Sequence, residues 1–232
     1  MTPAMTPKSI RTLFTQTNAL LQGHFQLTSG KHSEYYVQCA QVLQYPDKAR
    51  LLSQQLAAAY ANSQINVVVG PAMGGIHLAH EVAHALGARS LFTERVEGNM
   101  ALRRNFRIEP GERILVVEDV ITTGGSVREV IQLLQTLGGQ IVGVGCLVDR
   151  TPSDNTLANN PTPASAPANR QPPASNLLIG SANLQPPASY FPNSNLPLAA
   201  LLRLDIQAYE PENCPLCAQG LPWEKPGSRK NP

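Results

Sequence analysis

Apolar residues fall along this chain in two rhythms. The run Ile114, Leu115, Val116 and Val117 is unbroken, as in a strand buried on both faces of a parallel sheet. Stretches 66–70, 88–93 and 140–150 predict further strands, and 198–206 predicts a last one. Between them the spacing turns helical. Leu52, Leu56 and Ala59 predict a helix from Asp47, as N-cap, to about residue 62, and another covers 76–86. Val127, Val130, Ile131, Leu134 and Leu137 predict a helix stopped by Gly138 and Gly139. Ile10, Leu13, Phe14, Leu20 and Leu21 predict a first amphipathic helix over 8–22. Residues 23–40 alternate around Ser29 and Gly30, as in a hairpin, and the charged stretch 94–107, with a turn at Gly98 and Asn99, predicts a solvated loop. Strands alternating with helices predict an α/β fold.

One segment breaks the rhythm. Residues 151–197 are dominated by Pro, Ala, Asn and Ser, with Asp154 and Arg170 their only charges, and the sequence from Gln171 to Ser175 recurs from Gln185 to Ser189. Such a composition buries too little apolar surface to offset chain entropy, so a disordered or extended insertion is expected. The remainder, 1–150 and 198–232, has the length of one domain with a sizeable core.

The net charge of +2 gives no footprint for binding a polyanion. No stretch is apolar enough for a membrane span, and the N-terminus lacks a signal peptide's apolar centre, with Met5 a second possible start. Cys39 and Cys146 stand alone, while Cys214 and Cys217 form half of a zinc knuckle that Cys39 or a His could complete. With no disulfide framework, a reducing cytoplasm is expected. His77, His80 and His84 share helical spacing but lack a completing carboxylate or thiol, so satisfied or exposed histidines are expected.

The candidate chemistry gathers after the 114–117 strand. Glu118 and Asp119 are followed by Val120, Ile121, Thr122, Thr123, Gly124, Gly125 and Ser126, opening the next helix. Free N–H groups, the helix dipole and small residues form an anion site. Carboxylates beside a phosphate cradle fit a sugar phosphate: the loop takes the phosphate, while Glu118 and Asp119 take ribose hydroxyls or face Mg²⁺ through water. A second small-residue loop, with Gly74 and Gly75, follows the 66–70 strand; a plain tight turn explains it equally well.

A hydrophobic strand, two acids and a Thr/Gly loop resemble the phosphoribosyl pyrophosphate (PRPP) motif of type I phosphoribosyltransferases. Gly23, Phe25, Leu27, Ser29, Gly30, Ser33 and Tyr35 resemble the N-terminal segment of the orotate phosphoribosyltransferases. That resemblance implies a parallel sheet flanked by helices, a small hood from the N- and C-terminal segments (about 8–45 at the N-terminal side, over a core of about 46–150), Mg²⁺ dependence and a homodimer with shared sites. It implies Arg150 and Thr122 at orotate, and Gly74, Gly75, Arg95 and Lys31 at the pyrophosphate. The chain departs from the family where Thr28 replaces a common Lys, and where 94–107 lacks the Lys/His pattern of the mobile catalytic loop. Arg103, Arg104 and Arg107 are basic there without a residue-by-residue match. Alternatives are transfer to another base, a non-catalytic PRPP-binding regulator, and a scaffold acting through its Pro-rich segment.

Overall fold

A computed structural model describes residues 4–151 and 196–226 of the 232. The insertion expected at 151–197 lies almost wholly outside the described residues. The elements are α1 (Pro7–Gln16), β1 (Leu20–Gln26), β2 (His32–Val37), α2 (Ala40–Leu43), α3 (Pro46–Ala58), β3 (Val67–Pro71), α4 (Gly74–Leu86), β4 (Arg89–Val96) and β5 (Asn99–Leu102). Then come β6 (Arg113–Ile121), α5 (Gly125–Thr136), β7 (Gln140–Asp149), β8 (Leu198–Arg203), a 3₁₀ turn at Pro211–Asn213, and α6 (Pro215–Ala218). Among these no helix is long and apolar enough to cross a membrane.

Six strands form one sheet in the order β5-β4-β3-β6-β7-β8, parallel except for the β4–β5 hairpin. The 114–117 run lies at its centre because side chains alternate across a strand. Leu115 and Val117 join α1, α3 and α4 in a core on one face, where Leu52, Leu56, Leu78 and Val82 are fully buried. Ile114 and Val116 face the other way, onto Val127, Val130, Ile131 and Leu134 of α5. Both faces are therefore dry, which explains why the run has no polar interruption.

The chain leaves β3 through α4 toward β4, then returns to lay β6 on the other side of β3. The direction of winding thus reverses between β3 and β6. Open parallel sheets carry their ligand crevice at such a reversal, beyond the carboxyl ends of the strands.

Several expected boundaries move. Leu20 and Leu21 belong to β1, not to the first helix, because α1 stops at Gln16 and Asn18 takes a left-handed conformation (φ 56°). Tyr45 is the N-cap of α3, Asp47 lies in its first turn, and the helix ends at Ala58. The expected loop 94–107 is largely the β4–β5 hairpin, turned by Glu97 and Gly98, both at positive φ as a tight two-residue turn requires. β6 runs past its acids to Ile121, in register with β7.

The small second sheet is the hairpin β1–β2. The C-terminal tail closes on it: the amides of His32 and Tyr209 donate to each other's carbonyls at 2.8 Å, Gln26 N–H donates to Glu224 O at 2.8 Å, and Glu224 N–H donates to His24 O at 2.9 Å. First and last segments together make the hood.

Candidate active site

β6 delivers Glu118 and Asp119 to the crevice as its penultimate turn of strand. Burial, reinforced by the neighbouring Asp119, raises the Glu118 carboxyl to about 8, and burial raises Asp119 as well. The pair therefore holds protons readily while the crevice is empty, and a divalent cation or sugar hydroxyls would favour its ionised form. Asp119 Oδ1 accepts from the Val120 amide at 2.9 Å, and its backbone carbonyl lies 3.6 Å from Cys39 Sγ.

Beyond Ile121 the chain turns at Gly124, whose φ of 68° is a conformation that a side chain would strain, and α5 begins. Among the described residues no side chain caps this helix, and its first intrahelical bond runs from Arg128 N–H to Gly124 O. The earlier amides of Gly125, Ser126 and Val127 have no partner from the helix itself, which is the arrangement that binds phosphate. Arg128 Nη1 donates to Thr123 O at 2.7 Å, bracing the loop. Arg128 escaped the sequence reading, although its place one turn into the helix from a phosphate-type loop was a usable signal.

The loop after β3 meets this centre directly. A Cβ on Gly74 would stand 2.5 Å from Asp119 Oδ2 and 2.6 Å from Cγ. Gly75 in turn packs on Pro71 and Gly70. The structure therefore brings Gly74, Gly75, Glu118, Asp119 and the 122–126 loop to one place.

Arg150 follows β7, its amide donating to Ile121 O at 2.8 Å. Among the described residues its Nε is buried with no hydrogen-bond partner, and burial lowers the guanidinium's pKa. Such an orphan suits a planar anion. Asp149 is engaged elsewhere, accepting from Thr151 N and Oγ1 at 3.0 and 2.6 Å and pairing with Arg203 at 3.6 Å.

Other expected residues are held in ion pairs or exposed. Arg95 forks onto Glu129 of α5 at 2.8 and 3.0 Å, and Arg103 and Arg104 pair with Glu94. Lys31 pairs with Glu210 in the hood at 2.9 Å, and Thr28 is exposed. His77, His80 and His84 are exposed on α4. Cys39, offered as a partner for the tail cysteines, is in the core beside Asp119, whereas His24 and His32 are the groups beside Cys214 and Cys217.

A phosphoribosyl transferase domain model matches residues 40–155. The chain is 50% identical to the orotate phosphoribosyltransferase of Desulforamulus reducens over 97% of this chain and 99% of that protein. It is 42% identical to the protein of that name from Thermotoga maritima, over 95% and 98%. Among solved structures, orotate phosphoribosyltransferase from Aeropyrum pernix shares the fold, with a TM-score of 0.59 and 20% identity over 84% of this chain and 93% of that one. The Mycobacterium tuberculosis orotate phosphoribosyltransferase in complex with inorganic phosphate gives a TM-score of 0.50 at 26% identity, over 62% and 84%. By these likenesses, and by the crevice that its two glycine loops build, the chain belongs to the orotate phosphoribosyltransferase family.

Proposed function

We propose that this protein transfers the ribose 5-phosphate group of PRPP to orotate, giving orotidine 5′-monophosphate and pyrophosphate in the biosynthesis of UMP. The observation that carries the reading is the meeting of Gly74, Asp119 and the uncapped start of α5 at the reversal of the sheet. A single ligand spanning these features needs a phosphate at one end, sugar hydroxyls in the middle and a pyrophosphate at the other.

The amides of the 122–126 loop hold the 5′-phosphate, and Glu118 and Asp119 accept from the ribose hydroxyls. Gly74 and Gly75 present backbone to the pyrophosphate. Arg150 and Thr122 hold orotate, the guanidinium matching its carboxylate. An orotate ring nitrogen then forms a bond to the anomeric carbon as the bond to pyrophosphate breaks; the electron pair leaves with pyrophosphate, which can also take up the proton lost from the ring nitrogen. The protein's part is to align the two reactants and keep water from the anomeric carbon. Glu118 and Asp119 would face a PRPP-bound Mg²⁺ through water, and the ion would supply charge neutralisation to the leaving pyrophosphate. Arg95 serves pyrophosphate after leaving Glu129, and Lys31 after leaving Glu210, within a homodimer whose subunits share sites. A reducing cytoplasm suits the four thiols.

The test is the loss of orotate absorbance with PRPP and Mg²⁺, with Arg150→Ala as the control. Turnover in the native chain that disappears in the variant supports both the base and the residue that reads it. Saturable PRPP binding without turnover of orotate points to a regulator, and neither binding nor turnover overturns the site.

A further inference from the structure

The hood holds a second constellation, remote in sequence from the PRPP loop. His24 and His32 on the hairpin, with Cys214 and Cys217 from the tail, place one donor atom each within 4.8 Å of all the others. Three of the four residues are buried. His24 Nε2 lies 2.9 Å from His32 Nδ1, 3.5 Å from Cys214 Sγ and 3.7 Å from Cys217 Sγ, and His32 Nδ1 lies 3.2 Å from Cys217 Sγ. A tetrahedral zinc ion with ordinary Zn–N and Zn–S bonds separates its donors by about 3.3 to 3.8 Å. Four of the cluster's six separations, 2.9 to 3.7 Å, are close to that spacing, and the other two stay within 4.8 Å.

The protonation of His24 points the same way. Its Nδ1 is 2.9 Å from Leu221 O, and a carbonyl only accepts, so in the neutral ring Nδ1 carries the proton and Nε2 is left with a lone pair facing the cluster. A ring nitrogen tied to a backbone carbonyl, with the other nitrogen bare, is the usual arrangement of a zinc-binding His. Without a metal, that single lone pair faces an imidazole nitrogen and two thiols at once. With a divalent cation, all four donors are satisfied together.

Packing supplies an independent observation. From residue 207 to 226, Cys214 alone is buried among the described residues, yet the segment is bound edge-on to the hairpin. Apolar burial does not account for that order, whereas a metal crosslink does. We infer that His24, His32, Cys214 and Cys217 form a structural zinc site that fastens the C-terminal tail to the N-terminal hairpin. Four protein ligands leave no open position, so the ion's role is to hold the hood and not to react.

The test uses the full chain without a histidine tag, purified under reducing conditions, with metal measured by inductively coupled plasma mass spectrometry. One zinc ion per chain is expected. Replacement by Co²⁺ is expected to give tetrahedral d–d bands and a thiolate charge-transfer band. Cys217→Ser and His24→Ala should each reduce the metal content at least about tenfold, while His80→Ala on the exposed face of α4 should keep it. Hydrogen exchange at the His32, Tyr209 and Glu224 amides should quicken when the metal is removed. A native chain that neither carries zinc nor takes up Co²⁺ overturns the site, even if the variants fail to fold. So does full metal content in both ligand variants, or a Cys214–Cys217 disulfide in the metal-free native chain.

Discussion

Gly74 lies flat against the carboxylate of Asp119, with no room between them for a methyl group. The loop after β3 and the acid at the end of β6 therefore set each other's position. Gly74→Ala must displace the Asp119 carboxylate or the loop backbone. It is expected to raise the KM for PRPP about tenfold or more while thermal unfolding shifts by only a few degrees. Steady-state kinetics beside a melting curve check this, and an unchanged KM would separate the two loops functionally. Asp119→Asn keeps the shape and removes the charge, so it should impair PRPP use with the fold intact.

The second expectation concerns pH. Burial and its acidic neighbour raise the folded-state pKa of Glu118 to about 8, from 4.5. A carboxyl raised in this way stabilises the fold most below the unfolded value, and that contribution is lost as pH rises through about 8. Ligands that need the ionised form act in the opposite direction. Binding of Mg²⁺-PRPP should release protons, and its affinity should rise with pH until about 8 and then level off. Calorimetry in buffers of different ionisation enthalpy reads the proton count. Glu118→Gln should flatten the profile.

A third concerns Tyr60, which is 2% exposed and donates from its hydroxyl to Val144 O at 2.6 Å, with Pro197 O at 3.2 Å. One hydroxyl thus joins the end of the α3 segment to β7 and to the entrance of β8. Tyr60→Phe keeps the ring's packing and should cost about 1–3 kcal/mol in denaturant unfolding, with little change in KM for either substrate.

The strands β7 and β8 lead to the fourth. They are parallel, with Val144 opposite Leu198 and Asp149 opposite Arg203. The connection must therefore return along the full length of the pairing before β8 can begin. Parallel neighbours need about a dozen or more connecting residues. Shortening the 152–195 segment to about that length should leave turnover within about twofold, whereas cutting it to a few residues should detach β8 and destabilise the fold. A deletion series assayed for activity and melting temperature decides it.

Much of this was legible because the physics is local. A run of four apolar residues ending in acids and glycines announces a buried strand and an anion loop with no tertiary information. The first helix was misjudged where a signal was present but outweighed: Asn18 tolerates the left-handed conformation that ends a helix, yet Leu20 and Leu21 continued the apolar spacing. β5 was hidden because Asn99–Leu102 is short and follows a charged turn, so only its pairing with β4 makes it a strand. The orphan Nε of Arg150 follows from burial, which no residue pattern encodes. His24 and His32 were unreadable as partners of Cys214 and Cys217, because nothing local links sites so distant in the chain.

That distance has a consequence for how the protein is made. The hairpin bearing His24 and His32 leaves the ribosome before the central sheet, but the strand edge that pairs with it, at Tyr209 and Glu224, leaves after that sheet. At ordinary synthesis rates the interval is on the order of tens of seconds. Throughout it the hairpin keeps an open edge, so the nascent chain is exposed to mispairing with its neighbours until that segment emerges. A ribosome stalled shortly before residue 209 would hold a chain whose hood cannot close, because the strand edge that pairs with the hairpin has not yet been made.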